Sequence, residues 1–227
     1  MDGGTQYRVS NQGNVFSAES PTGYEHIDVG STFEGYVLCY TPPSSLEVQA
    51  YDSAFTSTGF GTATHSTGSP WTVTRSTSDG KVQLKQVFTF NGTSKSLNVA
   101  MTVKNLTGST LGNVIVARVA DFDVDVGGVN GFAFFSDNWF AATDDSVFAW
   151  NDPGSFLNDT HGMILRHVKQ PGGTNRFVLY PNNSTDCHTG GGTTPVQGDL
   201  TAWISYQFAS GLAAGASKTV TIQYVRD

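Results

Sequence analysis

Three aspartates spaced two apart, Asp121, Asp123 and Asp125, close the stretch VIVARVADFDVDV at residues 114–126. A strand repeats its side-chain direction every second residue, so alternation sets all three carboxylates on the face that carries Ile115, Ala117 and Val119. Val114, Val116 and Ala120 take the other face. Both faces are apolar before the aspartates begin, which reads as a central strand buried on both sides, with Arg118 as its one charge. Three carboxylates in such a row repel one another, and burial removes each from water. A cation, an arginine or a proton must compensate.

Three readings of the row compete. Asp121, Asp123 and Asp125 could hold Ca²⁺, a hard cation that takes several carboxylate and carbonyl oxygens. The spacing is not that of an EF-hand loop, whose sixth and twelfth positions fall here on Val126 and Phe132 instead of Gly and Glu. Asp121 and Asp123 could instead be a catalytic acid and base or nucleophile. Or the strand runs out into solvent and the aspartates turn it. Glu34, set in the aromatic run STFEGYVLCY, is the other acid expected to point toward a catalytic site.

A second group lies downstream, in FFSDNWFAATDDSVFAWNDPG. It interleaves Asp137, Asp144, Asp145 and Asp152 with Trp139, Phe140, Phe148 and Trp150. Carboxylates bond sugar hydroxyls and aromatic faces stack on a sugar's C–H face, so Trp139, Trp150 and Asp144 are candidates for binding a polysaccharide or other glycan. The competing reading is a set of hairpins with aromatics in the core and aspartates at the turns, since TDDS and NDPG are ordinary turn sequences.

The elements that must position these residues read as strands. Leu97, Val99, Met101 and Val103 alternate with polar neighbours in KSLNVAMTVKN. Val82, Leu84, Phe88 and Phe90 do so in KVQLKQVFTF, Leu200 to Phe208 in LTAWISYQF, and Val220, Ile222 and Tyr224 in KTVTIQYV. Asn91-Gly92 marks a tight turn. The spacing predicts a three-strand meander over 81–126 and a closing hairpin near 200–226. Short aromatic strands follow in 127–198 (FAFF, NWFAAT, SVFAW, GMILRHV, NRFVLY), with one helical turn near 152–158 and a long polar loop over 180–199.

Composition bounds the class. Of 227 residues only 14% are charged, against roughly 25% in ordinary soluble domains, and Ser, Thr, Gly and Asn fill the gap. That composition is typical of secreted or periplasmic β-proteins. The chain starts Met1-Asp2-Gly3-Gly4 without a signal peptide. A net charge of −7 and 12 scattered basic residues argue against nucleic acid. No apolar run reaches the ~18 residues of a membrane span. Cys39 and Cys187 either form a disulfide closing a very long loop, or stay as one buried and one exposed thiol; Cys187 with His188 as half a metal site is a third reading. GxSxG, HExxH, CxxC and phosphate-binding glycine loops are all missing, which weighs against serine hydrolase, zinc protease, redox and nucleotide chemistry. His161 and His167, six apart, sit too far along a strand to share a metal.

The segments LNVAMTVKNLTGSTLGNVIVARVADFDVD and FASGLAAGASKTVTIQYV resemble strand-turn-strand units of exported bacterial β-sandwich proteins. In architecture, over about half its length, the chain resembles galactose-mutarotase-like supersandwiches, which occur in many carbohydrate-active enzymes. The expectation is therefore a single all-β domain over 1–227, a two-sheet antiparallel β-sandwich of supersandwich type with long loops. It would be carbohydrate-directed, either as a carboxylate-dependent hydrolase or as a Ca²⁺-stabilised glycan-binding or structural module.

Overall fold

The computed structural model describes residues 4–20, 23, 25–27, 34–53, 56–124, 138–150, 162–182 and 184–226, and every strand pairing among them is antiparallel. In chain order the strands are β1 Gln6–Val9, β2 Val15–Glu19, β3 Gly35–Thr41, β4 Val48–Ser53, β5 Ser57–Thr58 and β6 Thr64–His65. Then come β7 Trp71–Ser76, β8 Val82–Asn91, β9 Ser96–Asn105, β10 Gly112–Asp121, β11 Asn138–Ala142 and β12 Ser146–Trp150. The last are β13 Gly162–Lys169, β14 Thr174–Leu179, β15 Val196–Gly198, β16 Thr201–Phe208 and β17 Ser217–Arg226. No helix occurs among the described residues.

Two large sheets carry the fold. One has six strands in the order β14-β16-β10-β3-β4-β5, the other nine in the order β15-β11-β12-β13-β17-β9-β8-β7-β6; β1 and β2 form a separate hairpin. The alternation read from the sequence sets their inner faces. Val82, Leu84, Leu97, Val99, Met101, Val103, Val220, Ile222 and Tyr224 of the nine-stranded sheet join Leu38, Tyr40, Val114, Val116, Ala202, Ile204, Tyr206 and Phe208 of the six-stranded one in a single buried cluster. Phe90 departs from its expected place. It is 48% exposed at the end of β8 and packs on Tyr7, 5.8 Å between ring centres.

Two connections differ from expectation. The third strand of the expected meander, β10, does not pair with β9. It crosses to the six-stranded sheet, between β3 and β16, and β9 pairs with β17 instead. The expected closing hairpin is likewise an arch, with β16 in one sheet and β17 in the other. The reason lies in β10 itself: apolar on both faces, it needs cover on both sides, which a central strand of the six-stranded sheet obtains. The two arches brace each other. Leu111 and Leu212 exchange backbone hydrogen bonds of 3.0 and 2.9 Å, and Asn105 Nδ2 donates to the carbonyls of Leu212 and Ala213 at 2.9 and 3.0 Å. Gly211, at φ +68°, lies so close that a Cβ there would meet the Leu111 carbonyl oxygen at 2.2 Å.

Arg118 lies on the inner face with zero exposure. Its Nη2 meets Glu34 Oε1 at 2.5 Å, and Nε donates to Glu34 at 2.9 Å and to the Tyr224 hydroxyl at 2.8 Å. Nη1 donates to Gln86 Oε1 at 2.7 Å and to the Gly13 carbonyl at 3.0 Å. The Tyr224 hydroxyl in turn donates to Glu34. A second buried pair, Arg75 with Asp52, also joins the two sheets. The tip of the β1–β2 hairpin completes both networks: Asn14 Nδ2 donates to Asp52 at 2.7 Å and the Val15 N–H to Glu34 at 2.6 Å.

On the outer face of the six-stranded sheet Cys39 is disulfide-bonded to Cys187 across 148 residues, with Cα atoms 6.3 Å apart. The bond packs with Val37, Ile115, Ala117, Val119 and Trp203, and so straps the 180–199 loop over the second apolar face of β10. Disulfides persist in oxidising compartments, which agrees with an exported protein. No helix of the described residues is long and apolar enough to cross a membrane.

Removing one partner of a buried ion pair strands the other. Arg118→Ala is expected to cost about 3–5 kcal/mol in urea unfolding; a loss under ~1 kcal/mol would show that the network carries little. Burial pushes the Glu34 carboxyl up to about 7, against the lowering pull of Arg118, the Tyr224 hydroxyl and the Val15 N–H. A folded pKa above the ordinary value means that this group's contribution is full at low pH and is lost as pH rises toward 7. The Tm of Glu34→Gln should therefore gain on that of the wild type between pH 5 and 7.5; a constant difference would contradict the upward shift.

Candidate functional site

Antiparallel pairing brings the end of β10 beside the start of β16, with Asp121 opposite Thr201. Asp123 follows, its backbone N–H donating to the His26 carbonyl at 3.2 Å. Asp199 lies just ahead of β16. One carboxylate oxygen from each of Asp121, Asp123 and Asp199 falls within 4.8 Å of the others. Asp121 and Asp123 are buried at 3% and 4% exposure, and Asp199 is exposed.

The nine-stranded sheet reaches the same place. β11 starts opposite the end of β15, with Asn138 paired to Gly198 and Trp139 to Gln197. Asn138 Nδ2 donates at 2.6 Å to the carbonyl of Phe122, which lies between the two buried aspartates. Phe140 and Ala149 point into the core, so alternation turns Trp139 and Trp150 outward. They face each other across β11 and β12, half-buried, with near-parallel rings at 17° and 6.3 Å between centres.

The other candidates fall elsewhere. Asp144 is exposed in the turn joining β11 to β12, five residues from Trp139 and so about 17 Å along the strand. Its carbonyl accepts from Arg176 Nε at 2.9 Å, and the neighbouring Asp145 carboxylate pairs with Arg176. Glu34 faces the inter-sheet core in its pair with Arg118, not a surface. Asp125, Asp137, Asp152, His161, the FAFF run and the turn of helix near 152–158 lie outside the described residues. His26 bonds the Ser20 carbonyl at 2.8 Å. His167 bonds the Tyr206 hydroxyl at 2.9 Å, and burial lowers its pKa. His188 lies 3.0 Å from Glu47.

Asp199 and Asn138 belong to the site and were not legible in a strand-by-strand reading. Pairing 114–121 antiparallel with 201–208, as the structure does, would have brought the residues before 201 to the aspartates after 120. The Glu34–Arg118 pair had a clearer signal, a lone arginine on an inward face and a lone acid ahead of the most apolar strand.

Two atoms bound to one Ca²⁺ at ~2.4 Å lie at most ~4.8 Å apart. The cluster meets that limit.

No protein-family model matches this sequence, and no curated protein does. Among solved structures the fold is similar to part of a bacterial glucoamylase determined as a complex with acarbose, at TM-score 0.61 and 9% identity. It is also similar to part of a polysaccharide lyase, at TM-score 0.50 and 10% identity. Each match covers 100% of this chain and 32% of the other, so the chain spans about a third of their length.

If the three carboxylates share a divalent cation, Ca²⁺ at a hundred times its dissociation constant stabilises the fold by about 2.7 kcal/mol. The Tm should rise with Ca²⁺, fall back with chelator, and stop responding in Asp123→Asn. A Tm indifferent to Ca²⁺ in the wild type would remove the cation.

Proposed function

We propose that this chain is an exported glycan-binding module. Trp139 and Trp150 form its stacking platform, and Ca²⁺ at Asp121, Asp123 and Asp199 holds the sandwich end on which the platform stands. The observation that carries this reading is the near-parallel, half-exposed indole pair, one residue along β11 from the Asn138 that is tied to the aspartate loop. Parallel aromatic faces recognise the C–H faces of sugar rings, and a rigid sheet presents them at little conformational cost. A neighbouring cation explains how two buried carboxylates and a third beside them share one small space. Similarity of fold to parts of sugar-active proteins supports a carbohydrate-directed role only at that level.

The second reading, a carboxylate-dependent hydrolase, needs Asp121 and Asp123 as acid and base. The half-buried indole pair beside them favours the binding module.

The test is titration calorimetry against a panel of soluble plant, bacterial and storage polysaccharides, with release of reducing ends followed in parallel. Binding without product, weakened about tenfold or more in Trp139→Ala with little change in Tm, is the expected result. Product released by the wild type and lost in Asp121→Asn would establish the hydrolase instead.

A further inference from the structure

The outer face of the nine-stranded sheet has a charge pattern unlike the rest of the chain. Following the register outward, β8 presents Gln83, Lys85, Val87 and Thr89, and β9 presents Asn98, Ala100, Thr102 and Lys104, while Ser96 at its start is buried. β17 presents Thr219, Thr221, Gln223 and Val225. β13 presents Ile164 and Arg166, and after its bulge Lys169 opposite Thr221. The face thus holds four cations, Lys85, Lys104, Arg166 and Lys169, all exposed. Among the described residues these strands turn no carboxylate outward, in a chain with 19 acids and 12 Lys and Arg. None of the four cations is in an ion pair among the described residues. In the turn between β11 and β12, close to Arg166 in register, Asp145 is paired with Arg176 and Asp144 is exposed.

Between the cations lie hydroxyls and amides. One row crosses the sheet as Arg166, Gln223, Asn98 and Thr89; in it Gln223 is buried, accepting from Arg166 Nε at 2.6 Å and donating to Ser96 Oγ at 2.9 Å, and so orients Arg166. The next row holds Lys169, Thr221, Ala100 and Val87, and the one beyond it Thr219 and Thr102, their hydroxyls 2.8 Å apart, and then Lys85. Toward the other end the same face turns aromatic. Phe148 stands opposite Ile164, and Trp150 opposite Trp139. Three strand spacings separate β13 from β8, about 14 Å.

We infer that this face is the binding track for an extended acidic polysaccharide, one bearing a carboxylate along its chain, with its sugars stacked at Trp139 and Trp150 and its charges over Arg166, Lys169 and Lys85. The inference rests on the glycan-binding reading above and adds the charge of the ligand and the direction of the track. Charge complementarity carries it: an acidic protein that keeps one sheet face free of acids presents a field that attracts polyanions. The accessible Asn98, Thr89, Thr102, Thr219 and Thr221 between the cations bond sugar hydroxyls, which an acidic polypeptide would not offer.

The experiment compares polygalacturonate, a neutral linear glucan of similar length and poly-glutamate, by calorimetry at 50 and 500 mM NaCl. The probe variant replaces Lys85, Arg166 and Lys169 with Gln, exposed positions at which the Tm should hold. The expected result is polygalacturonate bound tightest, with an advantage over the neutral glucan that disappears at high salt and falls about tenfold in the triple variant. Trp139→Ala should weaken both glycans. Equal binding of the two glycans by the wild type overturns the inference and leaves the glycan-binding reading intact. Poly-glutamate binding as tightly as polygalacturonate overturns it too, as a general cationic surface. If neither glycan binds, both readings fall.

Discussion

A guanidinium can be kept between two sheets only if its donors find acceptors and its charge finds a partner. Arg118 meets both conditions by collecting groups from across the molecule: Glu34 ahead of β3, Tyr224 of β17, Gln86 of β8 and the Gly13 carbonyl of the first hairpin. The two sheets and the hairpin therefore cannot shift against one another without breaking charge-assisted bonds in a dry place. Gly13 shows how tightly the plug is seated. At φ +93° it occupies a conformation that suits glycine, and a Cβ there would meet Gln86 Nε2 at 2.6 Å. Apolar burial holds the sheets together, and this network fixes their relative position.

That positioning matters because the candidate site is assembled from both sheets. The buried aspartates leave the six-stranded sheet at the end of β10, the strand that carries Arg118. The indole pair stands on β11 and β12 of the other sheet. The bond from Asn138 to the Phe122 carbonyl joins them, and the disulfide strap runs through the loop that ends at Asp199. A slip of one residue in β10 would turn Arg118 out of the core and the aspartates into it.

Much of this was readable from the sequence. Period-two patterning located β8, β9, β10, β16 and β17 and their inner faces, because each strand has one face against the core and the sequence records which. The row of aspartates and the two tryptophans also stood out. What alternation does not record is which strand lies beside which. KNLTGSTLGN and ASGLAAGASK look like hairpin turns, yet both are arches, and the difference comes from the need of β10 for cover on two faces. Nor does alternation record that a carboxylate from far along the chain, Asp199, is brought beside Asp121 and Asp123. Glu34 drew attention as a site acid because its neighbours are aromatic; those neighbours are core, and Arg118 is its partner.

The most direct test is a crystal structure of the protein grown with Ca²⁺ and soaked with an oligosaccharide. The account predicts an ion ~2.3–2.6 Å from oxygens of Asp121, Asp123 and Asp199, and a sugar ring against the faces of Trp139 and Trp150. A sugar lying across Asp121 and Asp123 themselves, with no ion and no contact to the tryptophans, would contradict it and make those carboxylates the reacting groups.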